Sequence, residues 1–296
     1  MAAVSIVIPT RDRPQQLRDS IESILAGDRL PDEIVVADQS ADARASLPGR
    51  ADVEIVHLPL ATVGSSRARN AGIAAARGDF LVFVDDDVRA ARDWLGQIVD
   101  ALAASPQRTA VTGAVLSDAA GDGHVPSQTS RMTPFTFSGR LFSDPLFAGN
   151  MALRRSAFEE VGLFDERLGA GGLFPAAGDN DFGYRLLEAG YEIAFVPDAI
   201  LYHRGARRGR ELVRLDFAYG RGQGAFYAKH MSWSDRHMLR RLGRNVAFRL
   251  RRMPPALRGD RDALREGVYL TGLLSGTVGW LRRYGTRAGD ERLPQH

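Results

Sequence analysis

The 296-residue sequence contains no cysteine, and only one of its 39 basic residues is a lysine. Without cysteine, disulfide bonds and thiolate metal sites are excluded. No run of about 18 apolar residues occurs, so no membrane-spanning helix is expected. The first residues, MAAVSIVIPTRDRP, lack the basic start and the long apolar stretch of a signal peptide, which predicts a cytoplasmic protein.

Charge is present in quantity but is unevenly distributed along the chain. Residues 1–203 hold 18 arginines against 28 acidic residues, a net charge of −10. Residues 204–296 hold 20 arginines and one lysine against 8 acidic residues, a net charge of +13. The change of sign predicts a boundary near residue 204, followed by a basic region that faces something anionic.

Short apolar segments alternate with amphipathic ones through the first two thirds of the chain. Buried strands are predicted at 4–9, 33–38, 53–58, 80–84, 109–116, 150–154 and 191–196. Helices are predicted at 14–25, 65–76, 93–104, from about 156, at 179–189, 211–230, 235–252 and 261–284. This pattern is typical of an α/β fold with a doubly wound, mainly parallel sheet, here followed by a helical extension. The long segment 117–148 between elements predicts a functional loop.

Three consecutive carboxylates, Asp85, Asp86 and Asp87, follow the predicted strand FLVFV. In open parallel sheets, ligands bind beyond the carboxyl ends of the strands. If the backbone stays extended, Asp85 and Asp87 point the same way and can hold a divalent cation that also binds phosphate oxygens. The alternative is an acidic loop whose aspartates cap the next helix.

Two further features lie at the same predicted edge of the sheet. Asp38 ends a strand, where it either accepts a hydrogen bond from a base or ribose or simply forms a turn. The segment GSSRARNAG places Arg67 and Arg69 at the start of a helix, where the helix dipole also favours a diphosphate.

Five segments, in order, resemble the successive blocks of family-2 glycosyltransferases with the GT-A fold. They are VSIVIPTRDRP, EIVVADQS, GSSRARNAGIAAARGDFLVFVDDD, FAGNMALRRSAFEEVGLFDE and GDNDFGYRLLEAGYEIAFVPDAILYHRG. The resemblance covers about residues 4–205 and implies an inverting transfer from a nucleoside-diphosphate sugar to an acceptor hydroxyl, with Mn²⁺ or Mg²⁺ on the diphosphate. It implies a GT-A catalytic domain at 1–203, with a nucleotide-binding half (1–116) and an acceptor-binding half (117–203). A basic, mainly helical region at 204–296 follows.

The resemblance also implies roles for single residues. Donor nucleotide binding is implied for Pro9, Thr10, Arg11, Asp38, Arg67, Arg69, Asp85 and Asp86. Metal binding is implied for Asp85, Asp87 and His203, and contact with the donor sugar or acceptor for Gly149, Asn150 and Asp181. Asp179 is implied as the general base, although Gly178 stands where the family usually carries a glutamate; the alternative is that Asp179 only caps its helix.

Two other functions are compatible with parts of the sequence. The first is a catalytically silent module that binds a nucleotide sugar or docks on a membrane, which the Asp-x-Asp pair and Asp179 disfavour. The second is a metal-dependent phosphohydrolase with an aspartate nucleophile. That class should carry Asp-x-Asp after the first strand, whereas this strand ends in PTRDR.

The C-terminal segment Val268–Gly285 is too short and too close to arginines to span a bilayer. It either lies in a membrane interface, with Trp280 and Tyr284 at headgroup level and Arg282 and Arg283 on phosphates, or packs as an ordinary helix.

The expected acceptor is a glycan, a lipid-linked molecule or a small molecule. If the segment Val268–Gly285 lies in a membrane interface, an anionic membrane surface on the inner face of the cell membrane is a further partner. No nucleic-acid-binding module is recognisable, so no nucleic acid is expected.

Overall fold

The structure, a computed structural model, describes residues 2–42, 47–118, 129, 132–204, 209–253 and 261–286. Nine strands lie in this part of the chain: β1 (Val4–Thr10), β2 (Glu33–Asp38), β3 (Glu54–Pro59), β4 (Phe80–Val84), β5 (Val88–Ala90), β6 (Thr109–Ser117), β7 (Phe135–Phe137), β8 (Asn150–Arg154) and β9 (Glu192–His203). The same described residues form eight helices: α1 (Pro14–Leu25), α2 (Ser65–Ala75), α3 (Trp94–Ala104), α4 (Ser156–Val161), α5 (Gly178–Glu188), α6 (Gly209–Lys229), α7 (His237–Arg252) and α8 (Arg261–Tyr284).

All nine strands belong to one sheet, in the order β3-β2-β1-β4-β8-β6-β9-β5, with β7 beside β9. Strands β1 to β4 run parallel to one another. Strand β8 is antiparallel to β4 and β6, while β5 and β7 are antiparallel to β9. Strand β9 is parallel to β6. Six strands therefore share one direction, which confirms the predicted α/β fold with a mainly parallel sheet.

Helices cover both faces of this sheet. On β1, Ile6 and Ile8 lie in a core cluster with α1 and α3, whereas Val7 between them lies in a second cluster with α2, α4 and α5. This alternation is what a strand buried on both faces produces. Because both faces are apolar and covered, the strand ends are where polar side chains can gather, and the site is built there.

The chain divides into two compact units. The first comprises Met1–Phe164 and Phe182–Arg207 and contains the sheet. The second comprises Asp165–Asp181 and Arg208–His296 and contains α6, α7 and α8. Residues 165–181 therefore group with the C-terminal helices, whereas the prediction placed them in the domain that ends near residue 204.

In the second unit, α6 and α8 pack closely because glycines line their contact. A Cβ atom at Gly224 would lie 2.0 Å from the carbonyl oxygen of Leu273. Trp280 of α8 is only 3% exposed, and its ring lies 5.5 Å from that of Phe174. Of the two alternatives for this segment, Trp280 therefore follows ordinary helix packing and is not available at headgroup level. In the described parts of the chain, no helix is both long and apolar enough to cross a bilayer.

Most predicted elements are present, and the differences have local causes. Strands β2, β4 and β8 have the predicted bounds. Strands β5 and β7 were not predicted, because three residues are too few to show the apolar pattern of a strand in the sequence. The predicted loop 117–148 contains β7, and residues 119–128, 130 and 131 lie outside the described residues. Arg13 is the N-cap residue of α1, and it makes no side-chain cap hydrogen bond.

Candidate active site

The carboxyl ends of β1, β2 and β4 meet at one edge of the sheet. Thr10 at the end of β1 is in register with Asp38 at the end of β2. On the other side, Val7 of β1 is in register with Phe83 of β4, so the residues that follow Val84 lie beside Thr10. The sheet therefore brings Asp38, Thr10 and the acidic segment after β4 to the same edge, as expected for parallel strands.

The acidic segment does not continue the strand as an extended chain. Asp86 and Asp87 form a turn between β4 and β5. The expectation that Asp85 and Asp87 point the same way depended on an extended backbone, and that condition is not met. Instead, Asp85 pairs with Arg69 of α2, with 2.9 Å between Oδ1 and Nη2. Asp86 and Asp87 share a different partner.

That partner is Arg13, which precedes α1 and was not among the predicted site residues. Its Nη1 lies 3.1 Å from Asp86 Oδ1 and 3.0 Å from Asp87 Oδ2. The Thr10 hydroxyl donates to Asp86 Oδ2 at 2.7 Å. Burial nevertheless raises the pKa of Asp86 to about 6, although the charge of Arg13 opposes the shift. Together with the Arg69–Asp85 pair, three carboxylates here face two guanidinium groups.

His203 reaches the same cluster through the pairing of β5 with β9. Val88, directly after the turn, is in register with His203 in this antiparallel pair. The backbone N–H of Arg204 donates to the carbonyl oxygen of Asp87 at 3.0 Å, which fixes the turn against β9. His203 Nε2 lies 3.4 Å from Asp87 Oδ1, and both side chains are largely buried. Two of the three predicted metal ligands are thus adjacent.

A pocket lies beside this cluster, between the segments that follow β1 and β2. Its lining includes Thr10, Asp12, Asp38 and Ser40. Asp38 accepts hydrogen bonds from the Ser40 backbone at 2.9 Å and from His57 Nε2, which lies 3.0 Å from its Oδ2. Burial alone would raise the pKa of Asp38, but these hydrogen bonds outweigh it and the pKa lies below its usual value. Asp38 is therefore an ionised acceptor at the base of the pocket.

The loop on the other side of this pocket contains Asp12, the residue before the N-cap of α1. Asp12 has a φ of 54°, which is unusual for a residue other than glycine. Its backbone N–H donates to Ser40 Oγ at 2.8 Å, and its Oδ1 accepts from the Ala41 N–H at 3.2 Å. These bonds hold the two loops together. Pro9 and Arg11 flank Thr10 in the same segment, and Arg11 is exposed.

The start of α2 is held by Gln39, which directly follows β2. Gln39 Oε1 accepts from the Gly64 N–H, and Gln39 Nε2 donates to the Gly64 carbonyl, each at 3.2 Å. Arg67 in the first turn is exposed, whereas Arg69 is mostly buried against Asp85. A helix N-terminus with arginine side chains is suited to bind a diphosphate.

Gly149 and Asn150, both expected to contact the donor sugar or acceptor, have different surroundings. A Cβ atom at Gly149 would lie 2.3 Å from Asp85 Oδ2, so Gly149 leaves the space that this carboxylate occupies. Asn150 is fully buried. Its Oδ1 accepts from Trp94 Nε1 at 2.9 Å, and its Nδ2 donates to two strand carbonyls, at 2.8 and 2.9 Å. Asn150 thus joins strands and α3, which differs from the predicted sugar contact.

Asp179 and Asp181 both lie in the first turn of α5, but their environments differ. Asp179 is half-buried, and its Oδ1 accepts from the Asn180 N–H at 3.0 Å. Asp181 is 0% exposed. Lys229 Nζ lies 2.6 Å and His230 Nε2 2.7 Å from Asp181 Oδ1. Such a closed carboxylate does not contact a sugar, so the role predicted for Asp181 is corrected to a structural one.

Helix α6 holds the chain segment that leads into α5. Lys229 also reaches Asp165 Oδ2 at 2.7 Å, and Asn180 Nδ2 donates to Gln223 Oε1 at 2.6 Å. A Cβ atom at Gly222 would lie 2.5 Å from the backbone of Ala176, so the segment lies directly on the helix. Neither Lys229 nor Gln223 was predicted, because the sequence does not show which residues of α6 face this segment.

Comparison with known proteins decides the family. The profile described as "Glycosyl transferase family 2" matches residues 5–162, more than half of the chain. The chain belongs to glycosyl transferase family 2. The resemblance seen in the sequence is thereby confirmed. The matched residues include the carboxyl ends of β1, β2 and β4, the residues that line the pocket, and the start of α2.

Named relatives of this family-2 chain differ in length. "Pre-mycofactocin glycosyltransferase" of Mycobacterium tuberculosis is 29% identical over 237 residues, 77% of this chain and 48% of the relative. The chain thus spans about half the length of that relative. "Succinoglycan biosynthesis protein ExoM" of Rhizobium meliloti is 28% identical over 315 residues, 96% of each protein.

The fold of this family-2 chain is shared with a solved structure. The crystal structure of GalNAc-T7 with UDP, GalNAc and Mn²⁺ superposes with a TM-score of 0.51 at 17% sequence identity. The match covers 77% of this chain and 51% of that chain. This likeness concerns the fold alone, and it confirms the predicted GT-A-type fold.

Proposed function

We propose that this chain is an inverting, metal-dependent glycosyltransferase that moves a sugar from a nucleoside-diphosphate sugar to an acceptor hydroxyl. The observation that carries the proposal is the acidic turn Asp85–Asp87, which lies beside the Asp38 pocket in a chain of glycosyl transferase family 2. The UDP and Mn²⁺ in the GalNAc-T7 structure support the same donor class and metal dependence.

The pocket and the start of α2 support a nucleoside diphosphate as the donor's leaving part. Asp38, an ionised acceptor, suits a hydroxyl of the ribose or an N–H of the base. Arg69 and the exposed Arg67 supply positive charge for the diphosphate. Arg69 is held by Asp85, so its guanidinium is already oriented before the donor arrives.

The residues present fit a divalent cation in part. Asp87 and His203 offer a carboxylate oxygen and an imidazole nitrogen 3.4 Å apart. Mn²⁺ accepts this mixed set better than Mg²⁺ does. Within the described residues, no group of three or more acidic or histidine side chains is placed to hold a metal ion. Asp87 and His203 would therefore hold the cation together with diphosphate oxygens, and Asp85, paired with Arg69, is the weaker ligand.

In the proposed reaction, the acceptor oxygen forms a bond to the anomeric carbon while the bond from that carbon to the diphosphate oxygen breaks. The acceptor proton goes to the Asp179 carboxylate, and the electron pair leaves with the nucleoside diphosphate. A single displacement of this kind inverts the anomeric configuration. A cation held by Asp87 and His203 would supply positive charge at the departing diphosphate. Arg69 adds to it, and the contacts of α6 with residues 176–181 fix the start of α5 that carries Asp179.

Release of labelled sugar from UDP, GDP and dTDP sugars with Mn²⁺ tests the proposal. Asp179→Asn should bind the donor normally but react about 10²–10⁴-fold more slowly, because an amide does not take the proton. The exposed Asp198→Asn is the matched control and should keep the wild-type rate. A wild-type rate in Asp179→Asn would move the base elsewhere. Donor binding without any sugar release would favour a silent binding module.

The charge of residues 204–296 supports a proposal about location. Its excess of arginine suits contact with an anionic membrane surface, which would bring the catalytic unit to a lipid-linked or membrane-proximal acceptor. The predicted contact through Trp280 is not available, because that ring is buried.

A further inference from the structure

Helix α7 is amphipathic and uses one face for packing inside the second unit. Arg241 on this face is buried, and its guanidinium lies 5.3 Å from the ring centre of Phe226 in α6. Arg249 forms an ion pair with Glu266 of α8 at 2.6 Å. These two arginines are therefore engaged inside the unit, and the other face of the helix is what solvent meets.

The outward face of α7 combines arginines with large apolar side chains. Arg240, Arg244 and Arg251 are exposed, and their spacing of four and seven residues places them on one stripe of the helix. Phe248 and Leu250 are 55% and 52% exposed and flank this stripe on either side. The helix contains no acidic residue. Its exposed surface is therefore strongly basic with an apolar margin.

An exposed tryptophan lies just ahead of this helix. Trp233, in the segment between α6 and α7, is 75% exposed, the largest value among the exposed large apolar residues described. A membrane interface suits an exposed tryptophan, because the apolar part of the ring can enter the apolar layer while the indole N–H stays among polar groups.

We propose that α7 and Trp233 form the surface through which this chain docks on an anionic lipid bilayer. This inference locates the membrane contact proposed above in α7 instead of α8. The arginines would lie on lipid phosphates, while Phe248, Leu250 and Trp233 enter the headgroup region, the arrangement of an interfacial helix. A lipid surface fits better than RNA, because the exposed apolar side chains flank the basic stripe along the helix and gain from an apolar layer.

The sequence offers a direct probe, because Trp233 is the one exposed tryptophan of three. Trp94 and Trp280 are 1% and 3% exposed. With vesicles of phosphatidylcholine and phosphatidylglycerol, the emission of the full chain should shift to shorter wavelength as Trp233 leaves water. Pure phosphatidylcholine vesicles should produce no shift. Trp233→Phe should abolish the shift, and added salt should weaken binding.

Matched pairs of arginine variants separate α7 from α8. Arg240→Gln with Arg251→Gln should lower the affinity for anionic vesicles about 30-fold, since each arginine near the surface contributes about a factor of five. Arg282→Gln with Arg283→Gln removes the same charge from exposed positions of α8 and should lower it less than about threefold, as a general charge effect. All four positions are exposed, so both variants should fold.

Several outcomes would overturn the inference. Equal losses in the two double variants would show a general charge effect, and absence of binding to anionic vesicles at low salt would remove the membrane contact altogether. Binding of polyuridylate that falls only in the α7 variant, without vesicle binding, would assign the surface to RNA. Sugar release measured in solution with the same proteins separates these results from a failure of the proposed activity, because none of the substituted residues belongs to the active site.

Discussion

Two groups of carboxylates in this chain are held in different ways. In the first unit, Asp85, Asp86 and Asp87 face two guanidinium groups; the side chain of Asp85 is 27% exposed, and those of Asp86 and Asp87 are buried. In the second unit, Asp165 and Asp181 are at most 9% exposed and are closed by Lys229, with Arg167 on Asp165 and His230 on Asp181. One group keeps an excess of negative charge beside a pocket, and the other is balanced and sealed.

The difference separates a binding site from a structural contact. Burying a carboxylate costs free energy unless a cation and hydrogen bonds compensate it. The Lys229 cluster meets that condition within the protein. In the Asp85–Asp87 turn, three carboxylates face two guanidinium groups, and the proposed cation would supply the missing positive charge. Variants at the two clusters should therefore respond differently to substitution and to metal.

The largest expected effect is on stability at the sealed cluster. Lys229→Met removes the cation between Asp165 and Asp181 and leaves two buried carboxylates under-compensated. The free energy of unfolding should fall by about 3–5 kcal/mol, and urea unfolding followed by circular dichroism measures it. Lys229→Arg keeps the charge and should lose much less. A loss below about 1 kcal/mol in Lys229→Met would show that this cluster is not a structural contact.

A smaller effect is expected at the Asp85–Asp87 cluster. Arg13 bridges Asp86 and Asp87, and about a third of its side chain is exposed. Arg13→Gln should lower the free energy of unfolding by about 1 kcal/mol. Mn²⁺ should restore part of this loss, because the ion can replace the missing positive charge at Asp87. Mn²⁺ should not restore Lys229→Met. Restoration in both variants, or in neither, would remove the distinction between the clusters.

The smallest expected effect is on the pH dependence of stability. Burial alone would raise the pKa of Asp165, but the hydrogen bond from Arg167 and the charge of Lys229 outweigh it, so the folded-state pKa is low. This carboxylate therefore contributes stability above its unfolded pKa of about 4, and that contribution is lost as the pH falls through the folded value. Asp165→Asn should lose less stability than the wild type between about pH 5 and 3. The exposed Asp100→Asn is the control and should follow the wild type.

The sequence predicts the framework of the fold well, because buried strands carry their signal locally. The run FLVFV has the bounds of β4, and EIVVAD those of β2. The edge where the site lies follows from strand direction alone. Strand β5 is three residues long and is formed by pairing with β9, so its existence depends on a distant segment that the local sequence does not reveal.

The roles of single site residues are less predictable for a related reason. Asn150 and Asp181 match family motifs, but a motif does not distinguish a side chain that contacts a ligand from one that joins strands or closes an ion cluster. Arg13 and Lys229 meet their carboxylates only through tertiary packing, 73 or 74 residues away for Arg13 and 64 residues away for Lys229 and Asp165. A charged residue in the sequence does not name its partner.

The most direct test of the central claim is calorimetric titration of nucleoside diphosphates (UDP, GDP and dTDP) with and without Mn²⁺. We expect the wild type to bind one of them only with Mn²⁺, and Asp87→Asn to lose that Mn²⁺-dependent binding. Asp118→Asn, a partly buried aspartate paired with Arg89 in the same unit, is the control and should bind normally. Equal affinity with Mn²⁺ and with a chelator, or unchanged binding in Asp87→Asn, would contradict the assignment of the acidic turn as the cation and diphosphate site.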